Sequence, residues 1–315
     1  MKLGSVLMTA VMLAGLDAHA AGNDDAWRKE VTDWRAARLE RLKSPYGWPS
    51  LIGLEWLKPG VNTVGSASDN AIVIAKAPAH LGTISLQDGK ATIALDAKAD
   101  ATIDGEKKST AALIDDSQPK PTQVGFGTVR FYLIQRGDKY GLRIKDSEAA
   151  TRQKMIAQGV ENFDFDPSWH YEAKWEAYDP PHEAEGVNII GQVEKYQIMG
   201  KATFTRDGKT YSVEPMLENP GDTELFLVFA DRTSGKETYG AARFVYTPMP
   251  KDGKLVLDFN KAYNPPCAFT PYATCPLPPQ QNRLKIAVTA GEKNDEAAVH
   301  AGSHPGAPDE RKPTK

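Results

Sequence analysis

The spacing of apolar positions changes from helical to strand-like near residue 44. Along residues 24–43, DDAWRKEVTDWRAARLERLK, apolar or amphipathic side chains recur at intervals of three or four, at Trp27, Val31, Trp34 and Arg38. We therefore predict an amphipathic helix over residues 24–43. A helix of this length gains most of its stability by burying an apolar face, so we expect it to dock on a β-rich unit.

Residues 44–150 show the pattern of a β-sandwich. Short apolar runs alternate with polar positions and are separated by pairs such as Asp88-Gly89, Asp104-Gly105 and Gly137-Asp138, which tolerate the positive φ of tight hairpin turns. The predicted strands are LIGLEWL, NTVGS, AIVIA, GTISL, ATIAL, ATIDG, TVRFYLIQR and YGLRIKD. We predict a compact antiparallel sandwich.

The stretches PGVNTVGSASDNAIVI and PAHLGTISLQDGKATI, residues 59–74 and 78–93, weakly resemble the opening of a forkhead-associated domain. That family is a β-sandwich that binds phosphothreonine, with an arginine after its glycine and a later serine and histidine that contact the phosphate. Here Ser66 follows Gly65 and no Ser-x-x-His follows. The resemblance therefore implies the sandwich, and we expect no phosphopeptide binding.

The second half is predicted to contain another β unit. Residues 151–195 have few regular patterns and several aromatics, and we interpret them as a connector packed on both units, with a carbohydrate-stacking platform as the alternative. Residues 196–293 alternate again and predict a C-terminal β-sandwich or barrel. The apolar run 225–230 predicts a strand buried on both faces, antiparallel to residues 238–246.

The N-terminus has the pattern of a secretory signal. Lys2, an apolar core over residues 6–16 and Ala18-His19-Ala20 predict a signal peptide, residues 1–20, that is cleaved after Ala20. We therefore expect a periplasmic or secreted protein without a membrane span, whose residues 294–315 form a disordered tail. The formal net charge of -3 favours no nucleic-acid partner.

Cys267 and Cys275 are the only cysteines, and seven residues lie between them in a proline-rich loop. Between β-rich segments of an exported protein, such a pair predicts a disulfide, which would stabilise the fold by roughly 2.5 kcal/mol on the chain-entropy model. The alternative is a reactive thiol with His170 or His182 as its base.

Polar residues concentrate on both sides of the cysteine loop and supply the candidate site. An arginine beside carboxylates can have a structural role, because a buried guanidinium needs acceptors and carboxylates provide them. The alternative is a functional role, in which the arginine holds an anionic group of a ligand while an aspartate acts as general base. On the functional interpretation the catalytic candidates are Asp231 and Asp258, and the ligand-binding candidates are Arg243, Tyr239, Asn260, Asn264 and Asn282.

No motif in the chain indicates a metal or a cofactor. There is no HExxH, no Cys-x-x-Cys, no P-loop, no dinucleotide fingerprint and no Gly-x-Ser-x-Gly. We therefore predict neither a metal nor a cofactor.

The second half also resembles a family called domain of unknown function 1684, found in bacteria and archaea. The resemblance rests on DRTSGKETYGAARF, LDFNKAYNPPCAF and CPLPPQQNRLKIAVTAGEK, and we expect it to extend from Gly47 to Lys293. It implies a shared set of residues at Asp231, Thr233, Thr238, Tyr239, Arg243, Asp258, Asn260, Asn264, Pro265, Pro266, Cys267, Cys275, Pro276, Asn282 and Glu292.

Three functional hypotheses follow from the sequence. The first is an exported protein that binds a small ligand at a polar site in the C-terminal β domain. The second is a hydrolase-like enzyme with an aspartate general base and arginine and asparagine stabilisers. The third is a structural or partner-binding envelope protein.

Overall fold

Helix α1, Ala14–Lys43, opens the computed structural model, which describes residues 14–294, with side chains from Asp24 onward. The predicted helix over residues 24–43 is confirmed. The predicted signal peptide, residues 1–20, lies largely outside the described residues, and so does the predicted tail after Asn294. None of the helices within the described residues is both long and apolar enough to cross a membrane.

The N-terminal unit is the predicted sandwich of two five-stranded sheets. One sheet has the order β1-β10-β9-β8-β6 and the other β3-β2-β4-β5-β7, and only β2 and β3 pair in parallel. A single apolar core lies between them. The strands are β1 (Leu51–Trp56), β2 (Gly60–Gly65), β3 (Ile72–Val73), β4 (Gly82–Gln87), β5 (Lys90–Leu95), β6 (Thr102–Ile103), β7 (Thr110–Leu113), β8 (Gln123–Phe126), β9 (Val129–Arg136) and β10 (Lys139–Asp146).

The predicted hairpin chemistry is visible in the turn between β4 and β5. Asp88 and Gly89 have φ angles of 48° and 72°. Positive φ at two successive residues matches the right-handed twist of the flanking strands, and aspartate and glycine tolerate it best. This turn sets the register in which Gln87 pairs with Lys90.

The C-terminal unit is a seven-stranded sheet that curls into a nearly closed barrel. Its order is β16-β15-β14-β12-β11-β17, and β13 pairs with β12. The hydroxyl of Thr247 on β16 donates to the carbonyl of Val256 on β17, so the two ends of the sheet meet. The elements are helix α2 (Ala150–Gln158), β11 (His170–Val187), β12 (Val193–Arg206), β13 (Lys209–Val213), β14 (Met216–Leu217), β15 (Glu224–Phe229), β16 (Arg243–Pro248) and β17 (Lys254–Asp258).

Residues 151–195 are not the irregular connector that we predicted. They contain α2 and the 18-residue strand β11, which forms a long hairpin with β12. Trp169 and Tyr171 from this segment pack in the barrel core. The strand pattern was hidden because much of the outer half of β11 is exposed and contains Pro180 and Pro181, so apolar alternation is lost there.

Strand β15 is buried on both faces, as its continuous apolar sequence predicts. Leu225, Leu227 and Phe229 face the barrel interior, and Phe226 and Val228 pack in a second cluster outside the barrel. Successive side chains of a strand point to opposite faces, so both faces are covered. The predicted antiparallel pairing of this strand with β16 is confirmed.

The chain after the cysteine loop packs on the barrel without forming a strand. Residues 280–294 contain no strand and follow the end of β15 in an extended, irregular path. The Ala230 N–H donates to the Asn282 carbonyl at 3.1 Å, and the Leu284 N–H donates to the Ala230 carbonyl at 2.8 Å. The segment makes only isolated backbone hydrogen bonds to the barrel. Its apolar residues are therefore buried although it does not pair with the barrel as a strand.

Helix α1 docks on the C-terminal unit through polar anchors as well as apolar packing. Its Trp27 indole donates to Asp258 at 3.0 Å. The Arg38 guanidinium forms two hydrogen bonds to the Glu292 carboxylate and a third, at 2.9 Å, to the Asn264 carbonyl. The side chains of Arg38 and Glu292 are 11% and 4% exposed, so this ion pair is largely buried from solvent.

Replacing Arg38 with methionine should destabilise the fold by about 3 kcal/mol, because it leaves the Glu292 carboxylate buried without its cation. Urea unfolding of the purified protein measures the loss. Lys29→Met is the matched control, since it removes an exposed pair with Asp33 on the same helix and should change stability little. Equal stability of the two variants would show that the Arg38 ion pair does not hold the helix.

Candidate functional site

The structure pairs Arg243 with Asp231 and not with Asp258. The guanidinium of Arg243, on β16, lies 3.4 Å from the Asp231 carboxylate, and both side chains are at most 1% exposed. It also donates to the carbonyls of Val288, at 2.8 Å, and Ala290. Asp231 in turn accepts from the Thr233 hydroxyl at 2.8 Å. This arrangement holds residues 288–290 against the barrel.

Asp258 lies at the end of β17 and fixes a different turn. Besides the Trp27 indole, its carboxylate accepts from the backbone and side-chain N–H groups of Asn260, at 3.0 and 3.1 Å. The Asn260 side chain also accepts from the backbone N–H of Asp166 at 3.0 Å and donates to its carbonyl at 2.9 Å. Asn260 is fully buried and cross-links two loops.

The side chains of the other predicted ligand-binding residues also form hydrogen bonds with backbone groups. The Asn282 side chain bonds the N–H and carbonyl of Glu214 at 2.8 and 3.0 Å, and the Tyr239 hydroxyl donates to the Cys267 carbonyl at 3.1 Å. Asn264 donates to the Lys293 carbonyl at 2.7 Å. Of the seven predicted catalytic and ligand-binding residues, only Asn264 also lines the large cavity described below.

The predicted disulfide is absent, because Cys267 and Cys275 are buried free cysteines. The Cys275 Sγ accepts the backbone N–H of Cys267 at 3.1 Å. Burial, and secondarily a hydrogen bond with Cys267, raises the pKa of the Cys275 thiol well above its ordinary value. Because the thiolate is the reactive form, this environment disfavours both disulfide formation and nucleophilic use of Cys275.

Neither histidine proposed as a thiol base contacts the cysteines in the described interactions. The ring of His170 packs against Trp27 at 4.2 Å, and that of His182 packs against Tyr178 at 5.0 Å. The structure therefore assigns both rings to other aromatic contacts.

A cavity of about 940 Å³ lies between α1, the sandwich and the barrel. Five segments form its walls: α1, the turn after it with Tyr46 and Trp48, the outer face of β9 and β10, the outer face of the barrel, and the cysteine loop. This volume is within the range of pockets that enclose small organic ligands.

The sandwich wall of the cavity carries a cationic cluster. Arg143 and Lys145 lie two residues apart on β10, so both point away from the sandwich core, in which Leu142 and Ile144 are buried. The Arg143 Cζ and the Lys145 Nζ lie 5.0 and 5.1 Å from the centre of the Trp48 ring. Two cations thus share one aromatic surface.

Arg143 is only 4% exposed and is incompletely paired. Its Nη1 lies 3.6 Å from the Asp116 carboxylate and donates to the Tyr132 hydroxyl at 3.3 Å. Asp116, however, is shared with Arg136, which approaches it with two closer hydrogen bonds at 3.0 and 2.8 Å. The Arg143 Nε has no hydrogen-bond partner among the described residues.

Lys145 has no carboxylate within ion-pair distance among the described side chains, residues 24–294. Its ammonium donates to the Tyr46 carbonyl at 2.7 Å and lies near the rings of Trp48 and Tyr132. Burial, and next the charge of Arg143, lowers the pKa of Lys145 to about 8. An anion bound in the cavity would offset the free-energy cost of keeping the Lys145 ammonium charged in this buried position.

The two carboxylates that line the cavity are held by tyrosines. The Tyr196 hydroxyl donates to Glu194, and the Tyr246 hydroxyl donates to Glu218 at 2.5 Å. Burial raises the pKa of Glu218 above its ordinary value. Six cations line the same cavity, so its charge balance is positive; they are Arg38, Arg41, Arg136, Arg143, Lys145 and Lys195.

The barrel wall of the cavity is aromatic. The rings of Tyr246 and Phe226 are stacked at 4.8 Å, and Tyr246 and Tyr263 are stacked at 6.3 Å. Trp34 from α1 lies 6.0 Å from Tyr263, and Phe244 packs edge-on against Phe226 at 4.8 Å. The cavity therefore combines a cationic wall with an aromatic one.

The cationic cluster was missed from the sequence because KYGLRIKD has the pattern of an ordinary half-buried strand. Arginine and lysine at alternate positions of such a strand normally face water. Nothing in the sequence of this strand indicates that α1 and the turn at Trp48 cover this face.

Among the described residues, no group of three His, Cys, Asp or Glu side chains is arranged to hold a metal ion.

Comparisons with known proteins agree with the resemblance of the second half. None of the curated proteins compared with the chain matches it. The chain is 30% identical to the uncharacterized protein of Haloarcula marismortui solved by solution NMR, over 45% of this chain and 80% of that one, with a TM-score of 0.39. The family model described as "Protein of unknown function (DUF1684)" matches residues 157–293, so the match begins well after the Gly47 expected from the sequence. Through these residues the chain belongs to the DUF1684 family.

Proposed function

We propose that the protein binds a small anionic organic molecule in the cavity between the sandwich and the barrel. One observation carries the proposal: the buried Arg143, whose Nε lacks a partner among the described residues, lies beside Lys145, which lacks a carboxylate. Buried cations are expensive unless they are paired. A carboxylate or phosphate of a ligand in the cavity would supply the negative charge that the two cations lack, and arginine binds both groups strongly.

The remaining walls of the cavity favour a ligand with an apolar or aromatic body. Phe226, Tyr246 and Tyr263 offer ring faces opposite the cationic cluster. Pockets for small molecules commonly combine such an apolar lining with a few polar groups that fix orientation. We therefore propose an anionic head on Arg143 and Lys145 and an aromatic body against the barrel.

This proposal keeps small-ligand binding from the sequence hypotheses and moves its location. Asp231 and Asp258, the candidate bases of the hydrolase hypothesis, do not line the cavity. Their carboxylates are occupied by Thr233, Arg243, Asn260 and Trp27. No described contact favours the hydrolase hypothesis over binding.

Replacing Arg143 with methionine should weaken the binding of aromatic anions by about tenfold to a hundredfold, since one hydrogen bond to a charged group contributes roughly 1.5–3 kcal/mol. Benzoate and phenylphosphate are suitable probes. A thermal-shift screen would identify which of them binds the wild-type protein, and isothermal titration calorimetry would then measure affinity for the variants.

Two controls separate this site from the one predicted from sequence. Lys139→Met removes an exposed lysine of the same strand that does not line the cavity, and it should leave affinity unchanged. Arg243→Met should destabilise the fold without altering affinity in the protein that remains folded. Loss of affinity in Arg243→Met, with none in Arg143→Met, would place the ligand at the sequence-predicted cluster instead.

Affinity for benzoate should fall as the pH rises through about 8. Below this pH Lys145 is an ammonium and attracts the carboxylate; above it the amine is neutral and the attraction is lost. The groups facing Lys145 are Arg143 on the same strand, Tyr132 on β9, and Tyr46 and Trp48 on the preceding turn. Benzoate itself does not titrate in this range.

Calorimetry at pH 6.5, 8 and 9.5 tests this dependence. Lys145→Met should bind more weakly than wild type at pH 6.5 and should show no decline over the series. A decline of the same size in both proteins would assign the titrating group elsewhere.

We further propose that the chain is exported to the periplasm or secreted after cleavage following Ala20. The support is the sequence of residues 1–20, with its charged start, apolar core and small residues before the cleavage point. Expression of the full chain in a Gram-negative host should yield protein in the periplasmic fraction or the medium with Ala21 as its first residue. Mass spectrometry measures this, and an intact N-terminus in the cytoplasmic fraction would contradict it.

A further inference from the structure

We propose that Lys145 is a nucleophile that condenses with the aldehyde or ketone of an anionic carbonyl compound held in the cavity. The inference rests on the proposed anion binding and deepens it by naming the ligand class. It combines three features of the structure: an amine that lines the cavity, a neighbouring guanidinium that can hold the anionic group, and aromatic rings beside the amine.

The position of the amine suits attack on a bound ligand. Among the described residues, the Tyr46 carbonyl, at 2.7 Å, is the hydrogen-bond acceptor assigned to the Lys145 Nζ. No carboxylate among the side chains of residues 24–294 pairs with this nitrogen, so loss of a proton breaks no described ion pair. The remaining directions around Nζ face the rings of Trp48 and Tyr132, at 5.1 and 5.7 Å, and the cavity.

The second lysine of the cavity has a different environment. The Lys195 side chain is 63% exposed and lies 2.7 Å from the Glu183 carboxylate. A hydrogen bond that Lys195 donates to Glu183, and next the charge of that carboxylate, raises the pKa of Lys195 above its ordinary value. Lys195 is therefore held as an ammonium, and it provides an internal comparison for Lys145.

The protonation equilibrium of Lys145 supports a nucleophilic role. With its pKa lowered to about 8 by burial and Arg143, roughly half of the amine is neutral at pH 8. An ordinary lysine at that pH is neutral to only a fraction of a per cent. Enzymes activate lysines for Schiff-base formation by desolvation or a neighbouring cation in the same way.

The reaction balances without an oxidant or a reductant. The Nζ lone pair attacks the carbonyl carbon, a C–N bond forms, and the carbonyl electron pair moves to oxygen, which takes up the proton released by nitrogen. The hydroxyl of this carbinolamine then takes up the second proton released by nitrogen and leaves as water while the C=N bond forms. The products are an imine on Lys145 and one water molecule.

Arg143 would act as a positioning residue in this step. Its Cζ lies 5.0 Å from the centre of the Trp48 ring, and the Lys145 Nζ lies 5.1 Å from the same ring centre, so a carboxylate on the guanidinium places the rest of the ligand near Nζ. The reaction would then be effectively intramolecular, and such orientation is a large source of acceleration.

The test uses 4-carboxybenzaldehyde with sodium cyanoborohydride, which adds hydride to the imine and traps it as a stable secondary amine. Intact-protein and peptide mass spectrometry locate the adduct on the full chain at pH 8. The matched alcohol, 4-(hydroxymethyl)benzoate, carries the same carboxylate and ring but no carbonyl. Calorimetry with this alcohol measures anion binding by itself.

We expect adduct on Lys145 to form about tenfold faster or more than on Lys195 or Lys139, because more of its amine is neutral. Lys145→Arg retains the positive charge without a primary amine, so it should bind the alcohol and lose the adduct. Lys139→Met, at an exposed lysine of the same strand that does not line the cavity, should keep both. Arg143→Met should slow adduct formation and weaken alcohol binding together.

The outcomes distinguish the two proposals. If the alcohol binds but the aldehyde labels lysines without preference for Lys145, the nucleophile is refuted and anion binding stands. If the alcohol does not bind and Lys145 is not preferred, both are refuted. Undiminished labelling of the folded Lys145→Arg protein would also refute the assignment.

Discussion

The buried ion pair between Arg38 and Glu292 connects helix α1, which forms one wall of the cavity, to the C-terminal unit. Arg38 belongs to the helix that roofs the cavity, whereas Glu292 belongs to the extended segment after the cysteine loop. The Glu292 carboxylate also accepts the Asn264 N–H at 2.7 Å, and the Arg38 guanidinium lies 4.3 Å from the Tyr263 ring. Helix, loop and C-terminal segment therefore share one electrostatic contact.

The polar residues near the cysteines have a common structural role. Their side chains form hydrogen bonds with backbone groups of segments that do not pair along a neighbouring strand. These side chains are Asp231 with Arg243, Asp258 with Asn260, and Asn282. Buried N–H and C=O groups must find partners, and an irregular path through a protein interior cannot supply them from a neighbouring strand. The density of such residues in the second half follows from the amount of irregular backbone that the barrel buries.

The sequence determined the fold class because each unit obeys a local rule. The helix over residues 24–43, the Asp88-Gly89 turn and the doubly buried strand at 225–230 all follow from spacing or turn chemistry. The long hairpin of β11 was missed because its exposed end alternates weakly, and the Cys267–Cys275 pair was misread because compartment and spacing say nothing about thiol burial. The cavity could not be predicted, since its walls come from residues as distant as Trp34, Arg143 and Tyr263. Only their arrangement in space reveals that Arg143 and Lys145 do not face solvent.

The location of β10 inside its sheet has a consequence for selectivity. The strand is hydrogen-bonded to β1 on one side and to β9 on the other, so the backbone that carries Arg143 and Lys145 is fixed from both edges. A central strand cannot shift its side-chain spacing to suit a ligand, as a loop can. In the proposed function, the positions of the two cations on this strand set the interval that the anionic and reactive groups of a ligand must match.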